Sequence, residues 1–262
     1  MSSLSYAATD SATMLRRNLR HALRYPSMTM STVAMPVVFL LLFDYVFGGT
    51  LGAGLRGVVP GGGYIDYLAP GVLVMTAAAG SVSTAVSVSV DMTEGIVNRF
   101  RTMAISRGSL LTGHVVGSLI QTMLAMAVVA GVAVLAGFRP ETGAARWAAA
   151  AGLLALLAFA LTWLAVALGM VADSPETASN LPLPLMFLPF LGSGFVPTSS
   201  MPEGLRQFAE HQPFTYVIDT VRALLMGGPV GETGVVAVAW CAAIALGGYV
   251  WARASFERRP VR

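Results

Sequence analysis

Apolar residues run in long blocks along this chain, and polar ones gather between the blocks. Six stretches are close enough to the ~20 apolar residues that carry a helix across ~30 Å of hydrocarbon to be read as spans. They cover residues 28–47, 67–90, 110–137, 147–171, 180–196 and 235–251. None shows the ten-residue alternation of a membrane β-barrel. The pattern predicts an all-α polytopic membrane protein with six transmembrane helices, a single domain over residues 1–262. The first block exceeds the ~7–15 apolar residues of a signal peptide and no small-residue cleavage site follows it, so it is expected to remain as a helix.

Three polar intervals have order of their own. In 8–25, Ala12, Leu15, Leu19, Ala22 and Leu23 recur at helical spacing, with Arg16, Arg17, Arg20 and Arg24 on the other side. Asp10 or Ser11 opens this helix and Pro26 closes it, so it is expected to lie flat on the membrane. It serves either as a plain anchor or as a docking element; both readings stand.

In 91–108, Asp91-Met92-Thr93-Glu94 has capping-box spacing. Ile96, Val97, Phe100, Met103 and Ala104 then form an apolar face opposite Glu94, Asn98 and Arg101, and Ser106-Arg107-Gly108 ends the pattern. An orientation signal needs the arginines but neither a cap nor an apolar face. The surplus order points to a contact surface.

The third interval, 192–228, follows a block broken by Pro182, Pro184 and Pro189, with Pro197, Gly192 and Gly194 beyond. Irregular backbone at membrane depth is tolerated only under protein or beside water. Two short helical patterns, 203–210 and 214–226, are parted by Gln212-Pro213. Phe214, Val217, Ile218, Val221 and Leu225 make the apolar face of the second, and Asp219 and Arg222 have the spacing of an i,i+3 ion pair. Neither pattern is long enough to span, so they read as an external re-entrant hairpin between spans five and six.

Inside the spans, Thr76, Gly80, Thr84, Ser87 and Asp91 fall on one stripe. Small and hydroxylated residues let membrane helices approach closely; a helix seam and the lining of a transport path both fit. Asp44 is the one acid within an apolar run. A charge at the bilayer centre costs ~2.5–3.5 kcal/mol on insertion scales, and Asp44 is expected about one turn from the outer end of its helix, reaching head groups or an outward cavity.

Composition agrees. The chain is 55% hydrophobic and 11% charged, with a mean hydropathy of +0.71, against about 25% charged residues in soluble domains. All sixteen basic residues are arginine, a bias typical of a GC-rich bacterium. The pI of 9.3 does not signal nucleic acid, because topology accounts for the charge. With six spans and an inner N-terminus, Arg16, Arg17, Arg20, Arg24, Arg99, Arg101, Arg107, Arg253, Arg258, Arg259 and Arg262 lie inside. Only Arg56, Arg139, Arg146, Arg206 and Arg222 lie outside, so the positive-inside rule places both termini in the cytoplasm.

Catalytic chemistry is hard to assemble from these residues. Cys241 is the only cysteine and sits in a span, so no disulfide or thiolate metal site is expected. His21, His114 and His211 are scattered, and Gly192-Ser193-Gly194 does not complete G-x-S-x-G. A phosphate-binding loop of the usual form needs a lysine, and the chain has none. The chain is expected to be no enzyme and to bind no metal or cofactor.

Most of the chain resembles the ABC-2 type permease family, in particular the membrane subunits of daunorubicin-resistance-like exporters. Arg24-Tyr25-Pro26 and LLFDYVFGG are similar to its signatures near the first span. The run from APGVLVM to RGSLLTGHVVG resembles its central segment, and FLGSGFVP through QPFTYVIDTVRALLMG its external hairpin. Three positions depart: Ala104 stands where proline is common, His211-Gln212-Pro213 replaces Asn-Pro, and Asp44 replaces an apolar residue.

The resemblance implies a permease dimer, of identical chains or paralogues, with two copies of a cytoplasmic ATPase that binds the ATP and Mg. It implies ATPase contacts in a coupling helix at Glu94, Gly95, Arg99, Phe100 and Arg101, and at Arg16 and Arg20 of the surface helix. It places Phe195, Pro197, Pro213, Tyr216, Asp219 and Arg222 in a hairpin roofing the path. Phe39, Phe43, Thr84, Ser87 and Phe187 are candidates for the path or the dimer seam. The expected activity is export of a hydrophobic or amphipathic small molecule across a bacterial cytoplasmic membrane, among lipid and without nucleic acid. Export of a polysaccharide or lipid conjugate is the nearest alternative; an ATP-independent transporter or channel would show inverted repeats and paired buried charges.

Overall fold

The computed structural model describes residues 26–54, 63–93, 107–140 and 142–258, and every described element is helical. Helix α1 (Pro26–Leu41) passes through a π-helical turn at Leu42–Phe47 into α2 (Gly48–Gly54). Then come α3 (Tyr64–Thr93), α4 (Arg107–Ala136) and α5 (Ala144–Val171). Two short helices, α6 (Pro175–Asn180) and α7 (Leu183–Phe187), lead to α8 (Glu203–His211) and α9 (Pro213–Met226). The last is α10 (Gly231–Arg258).

Five of these helical runs are long and apolar enough to cross a bilayer: Thr32–Gly54, Tyr64–Thr93, Val115–Ala136, Ala144–Val171 and Gly231–Phe256. Helices α3 and α5 are the central pair, with 78% and 67% of their most apolar windows buried, against 28% or less for the other three. The outer helices turn Val38, Leu124, Val128, Val235, Leu246 and Val250 outward. Such a surface suits hydrocarbon, since lipid leaves no reason to hide apolar side chains.

Small residues set the closest approaches. Gly169 of α5 lies against the Ala85 carbonyl of α3, and Gly80 of α3 against Thr122 of α4. A Cβ at Gly248 of α10 would stand 2.7 Å from the Leu164 amide nitrogen of α5. Without a hydrophobic force between helices in lipid, this close packing is what holds them together.

One end of the bundle gathers the α3 N-terminus, the α4–α5 turn and the α8–α9 pair. The Arg139 amide donates to Asp66 Oδ1 at 3.2 Å, and Thr142 Oγ1 donates to the Leu225 carbonyl at 3.3 Å. At the other end, Ala252 and Phe256 of α10 pack in one cluster with Val88, Val115, Val166 and Met170.

Three sequence expectations change. The predicted fifth span, 180–196, is not a continuous helix. Pro182, Pro184 and Pro189 lack the amide hydrogen that an α-helix needs, and the chain climbs by short turns, such as Leu185 N–H to the Pro182 carbonyl at 3.0 Å. It starts beside α3, with Ala178 clustered with Ala85, Ala165 and Ala172, and arrives at Phe195, whose carbonyl accepts from Tyr64.

Asp91 is no N-cap. It is buried in the last turns of α3, where Thr93 Oγ1 donates back to the Ser89 carbonyl at 3.0 Å; the expected cap contact of Asp91 with Glu94 lies outside the described residues. Arg107 and Gly108 begin α4, and the stretch 94–106 that they were expected to end lies outside the described residues. Asp44 lies ten residues, ~15 Å of helix, short of Gly54. The glycines of α2 do not stop the helix because Gly48 and Gly52 leave room for Tyr64 to pack over them.

Candidate functional site: a latched hairpin beside an aromatic wall

Helix α9 begins with Pro213 at its first turn, where the missing amide hydrogen costs nothing, and ends at Gly227 with φ +80°. Over this length Phe214, Val217, Ile218, Val221 and Leu225 are buried, as their helical spacing predicts. The same spacing brings Arg222 Nη1 to 2.6 Å from Asp219 Oδ1.

That pair is the middle of a larger node. Arg222 Nη2 donates to the Ser193 carbonyl at 2.6 Å and to the Tyr67 carbonyl at 3.1 Å. Its guanidinium carbon lies 3.8 Å from the centre of the Tyr67 ring, a cation–π distance. Ser193 Oγ donates to the same Asp219 oxygen at 2.6 Å. One planar guanidinium therefore ties α9, the Gly192–Gly194 turn and the first turn of α3. A lysine, with one point charge, has no matching fork.

The node is seated by backbone contact. A Cβ at Gly71 would stand 2.5 Å from the Gly194 carbonyl oxygen, so the turn lies directly on α3. Tyr64 donates to the Phe195 carbonyl at 2.9 Å. Asp66 Oδ2 accepts from the Gly63 amide at 2.8 Å, the acid half of a capping box. Gln212, buried between α8 and α9, donates to the Leu188 carbonyl at 2.8 Å.

An aromatic wall adjoins the node. Phe190 and Phe195 stack with centroids 4.1 Å apart and planes 6° apart. Phe43 of the π-helical turn lies 4.8 Å from Phe195, and Phe39 lies 5.3 Å from Phe190. Phe47 extends the wall, 5.5 Å from Phe43.

The structure thus brings Phe39, Phe43, Phe195, Asp219 and Arg222 to one end of the bundle. Pro197 opens the turn Thr198–Ser200, and the Tyr216 carbonyl accepts from Thr220 Oγ1 at 2.7 Å. Phe187 stands apart, 61% exposed. Thr84 is buried with its hydroxyl donated to the Gly80 carbonyl at 3.0 Å, whereas Ser87 is on the surface. Tyr64, Tyr67, Phe190 and Ser193 belong to the site and had no role in the sequence reading beyond the spans and motifs containing them. Their signal was faint, since each acts through a backbone carbonyl or a ring contact.

The hairpin's outer face carries the exposed pair Arg206–Glu210 at 2.7 Å, which raises the Arg206 pKa. No group of three or more metal-ligating side chains occurs among the described residues. Glu94, Gly95, Arg99, Phe100, Arg101, Arg16 and Arg20 lie outside the described residues, as do the surface helix at 8–25 and the stretch 94–106. That stretch joins Thr93 of α3 to Arg107 of α4.

Comparison with known proteins fits a membrane transporter. The daunorubicin resistance ABC transporter permease protein DrrB1 of Streptomyces coeruleorubidus is 28% identical over 84% of this chain and 76% of its own. A probable doxorubicin resistance ABC transporter permease protein, DrrC of Mycobacterium tuberculosis, is 23% identical over 82% of this chain and 76% of its own. The ABC-2 type transporter family matches residues 10–226, a stretch that takes in the interrupted climb, the aromatic wall and the Arg222 node, and the chain belongs to that family.

Proposed function

We propose that this chain is the permease subunit of an ATP-driven exporter that moves a hydrophobic or amphipathic small molecule, of the drug or antibiotic class, out across a bacterial cytoplasmic membrane. The relatives named for daunorubicin and doxorubicin resistance support that class. The family implies a separate ATPase subunit. Two permease chains and two ATPase chains form the working unit, and the ATP and Mg sit on the ATPase.

The chain crosses the membrane six times, five times as a helix and once as the broken climb from Ala178 to Phe195. These two residues lie beside Ala85 and Tyr64 of α3, which are ~31 Å apart along a helix, the thickness of the hydrocarbon. Both termini are cytoplasmic, the arginine distribution deciding the side. The hairpin then faces outward.

One observation carries the mechanism. Helix α3 is continuous from Tyr67, where Arg222 holds the hairpin, to Thr93, the residue before Glu94. That is ~39 Å of helix. A push from the ATPase on 94–106 moves the inner end of a stiff rod whose outer end carries the roof of the path.

The test is ATP-dependent substrate uptake into inside-out vesicles carrying the permease with its ATPase. Glu94→Arg or Arg101→Glu should abolish coupled transport while the permease still folds. Unchanged transport in both variants, or failure of the two subunits to co-purify, refutes the proposal.

A further inference from the structure

Asp44 is an acid within the first span that no described residue neutralises. Among the described residues its carboxylate enters no hydrogen bond and no ion pair. It occupies the π-helical turn Leu42–Phe47, a helix distortion that recurs at functional sites. The adjoining residues Tyr45, Val46 and Phe47 are exposed, so the turn lies at the surface of the helical bundle.

The surroundings of the carboxylate are defined. A Cβ on Gly48 would lie 3.7 Å from Asp44 Oδ1 and 3.8 Å from Tyr64 Cδ1, so the carboxylate and the ring share the gap that glycine leaves. Tyr64 donates its hydroxyl hydrogen bond to the Phe195 carbonyl, so toward Asp44 it offers only its ring. Asp66, the neighbouring carboxylate, is filled by the amides of Gly63 and Arg139, and it repels Asp44 rather than balancing it. Beside Asp44 in sequence, Phe43 and Phe47 begin the wall that continues through Phe195 and Phe190.

An unpaired carboxylate in an apolar setting is costly unless a counter-charge arrives. None of the described residues supplies one, and aromatic faces attract cations as well. A neutral amphiphile would need only the wall, and an anion would be repelled. We propose that Asp44 is a specificity-determining residue that selects cationic amphiphiles: a ligand ammonium pairs with its carboxylate at the Tyr64 edge while the apolar body lies on the Phe43–Phe195–Phe190 wall. The inference rests on the exporter reading above and narrows its substrate class.

The experiment uses the permease–ATPase complex in inside-out proteoliposomes, with dansylcadaverine, a fluorescent amphiphilic amine, and its N-acetylated neutral form as probes. Wild type should bind the amine at least tenfold more tightly than the neutral form. Asp44→Asn should weaken amine binding roughly tenfold, ~1.4 kcal/mol, and leave the neutral probe unchanged; Asp44→Glu should restore most of the loss. Equal effects on both probes, or no wild-type preference for the amine, overturn the inference. The wild-type comparison decides alone if Asp44→Asn fails to assemble.

ATP-driven uptake separates the two readings. Asp44-dependent binding without ATP-driven uptake refutes the exporter and leaves the site standing. ATP-driven uptake of both probes that ignores Asp44→Asn refutes the site and leaves the exporter standing.

Discussion

Arg222 Nη2 lies 3.1 Å from the Tyr67 carbonyl oxygen while its guanidinium carbon stands 3.8 Å above the ring of the same tyrosine. One side chain thereby uses both the polar and the aromatic part of another, across 155 positions of sequence. The arrangement fixes the hairpin to α3 through a group that is always charged and planar.

Replacing that group should be costly. Arg222→Ala leaves the Ser193 and Tyr67 carbonyls and part of Asp219 without their donor. Because Asp219 keeps contact with water at 39% side-chain exposure, the loss should be ~2 kcal/mol rather than the full cost of stranding a buried charge. A lowered thermal midpoint in detergent should show it. Arg222→Lys should recover less than half, because an ammonium cannot reach two carbonyls and a carboxylate in one plane.

Backbone contact between α3 and the Gly192–Gly194 turn makes a sharper contrast. Gly71→Ala drives a methyl into the Gly194 backbone and should destabilise by about 1–3 kcal/mol. Gly131→Ala, where a Cβ meets nothing within 4 Å, should be neutral or stabilise by up to ~1 kcal/mol. Thermal unfolding of the two variants side by side checks the difference.

The stripe on α3 is tested by its hydroxyls. Thr84 donates to the Gly80 carbonyl within its own helix, so Thr84→Val removes a satisfied bond and little else. Stability should change by less than ~1 kcal/mol, and transport should persist in vesicle uptake assays. Gly80→Val, facing Thr122 of α4, should instead separate the helices and abolish folded protein on size exclusion.

The aromatic wall predicts a stability cost with a place attached. Phe190→Ala deletes the ring stacked at 4.1 Å on Phe195 and should cost about 3 kcal/mol. Phe187→Ala, at an exposed position outside the wall, should cost under ~0.5 kcal/mol. Denaturation midpoints of both variants measure the gap.

The sequence alone determined the solvent, the helical class and the positions of α3, α4, α5 and α10, because a bilayer demands about twenty apolar residues wherever a helix crosses. It also determined the hairpin helices to within a residue or two, since Pro213 and Gly227 act on their own backbone, and the Asp219–Arg222 pair, since i,i+3 spacing is local. Hydropathy could not tell a continuous fifth span from an interrupted one. Leucine and phenylalanine score alike in both, and prolines show that the helix breaks but not what the broken backbone rests on. Asp91 looked like the start of a new helix because a four-residue spacing does not reveal that α3 runs on through it to Thr93.

Only the tertiary structure decided that Arg222 reaches Tyr67, that Gly194 lies on Gly71, and that Phe190 rather than Phe187 completes the wall. These contacts end on backbone carbonyls, bare Cα atoms and ring faces, which almost any residue or aromatic provides. They carry no pattern of their own along the chain, and they exist because packing brings distant segments within a few ångströms.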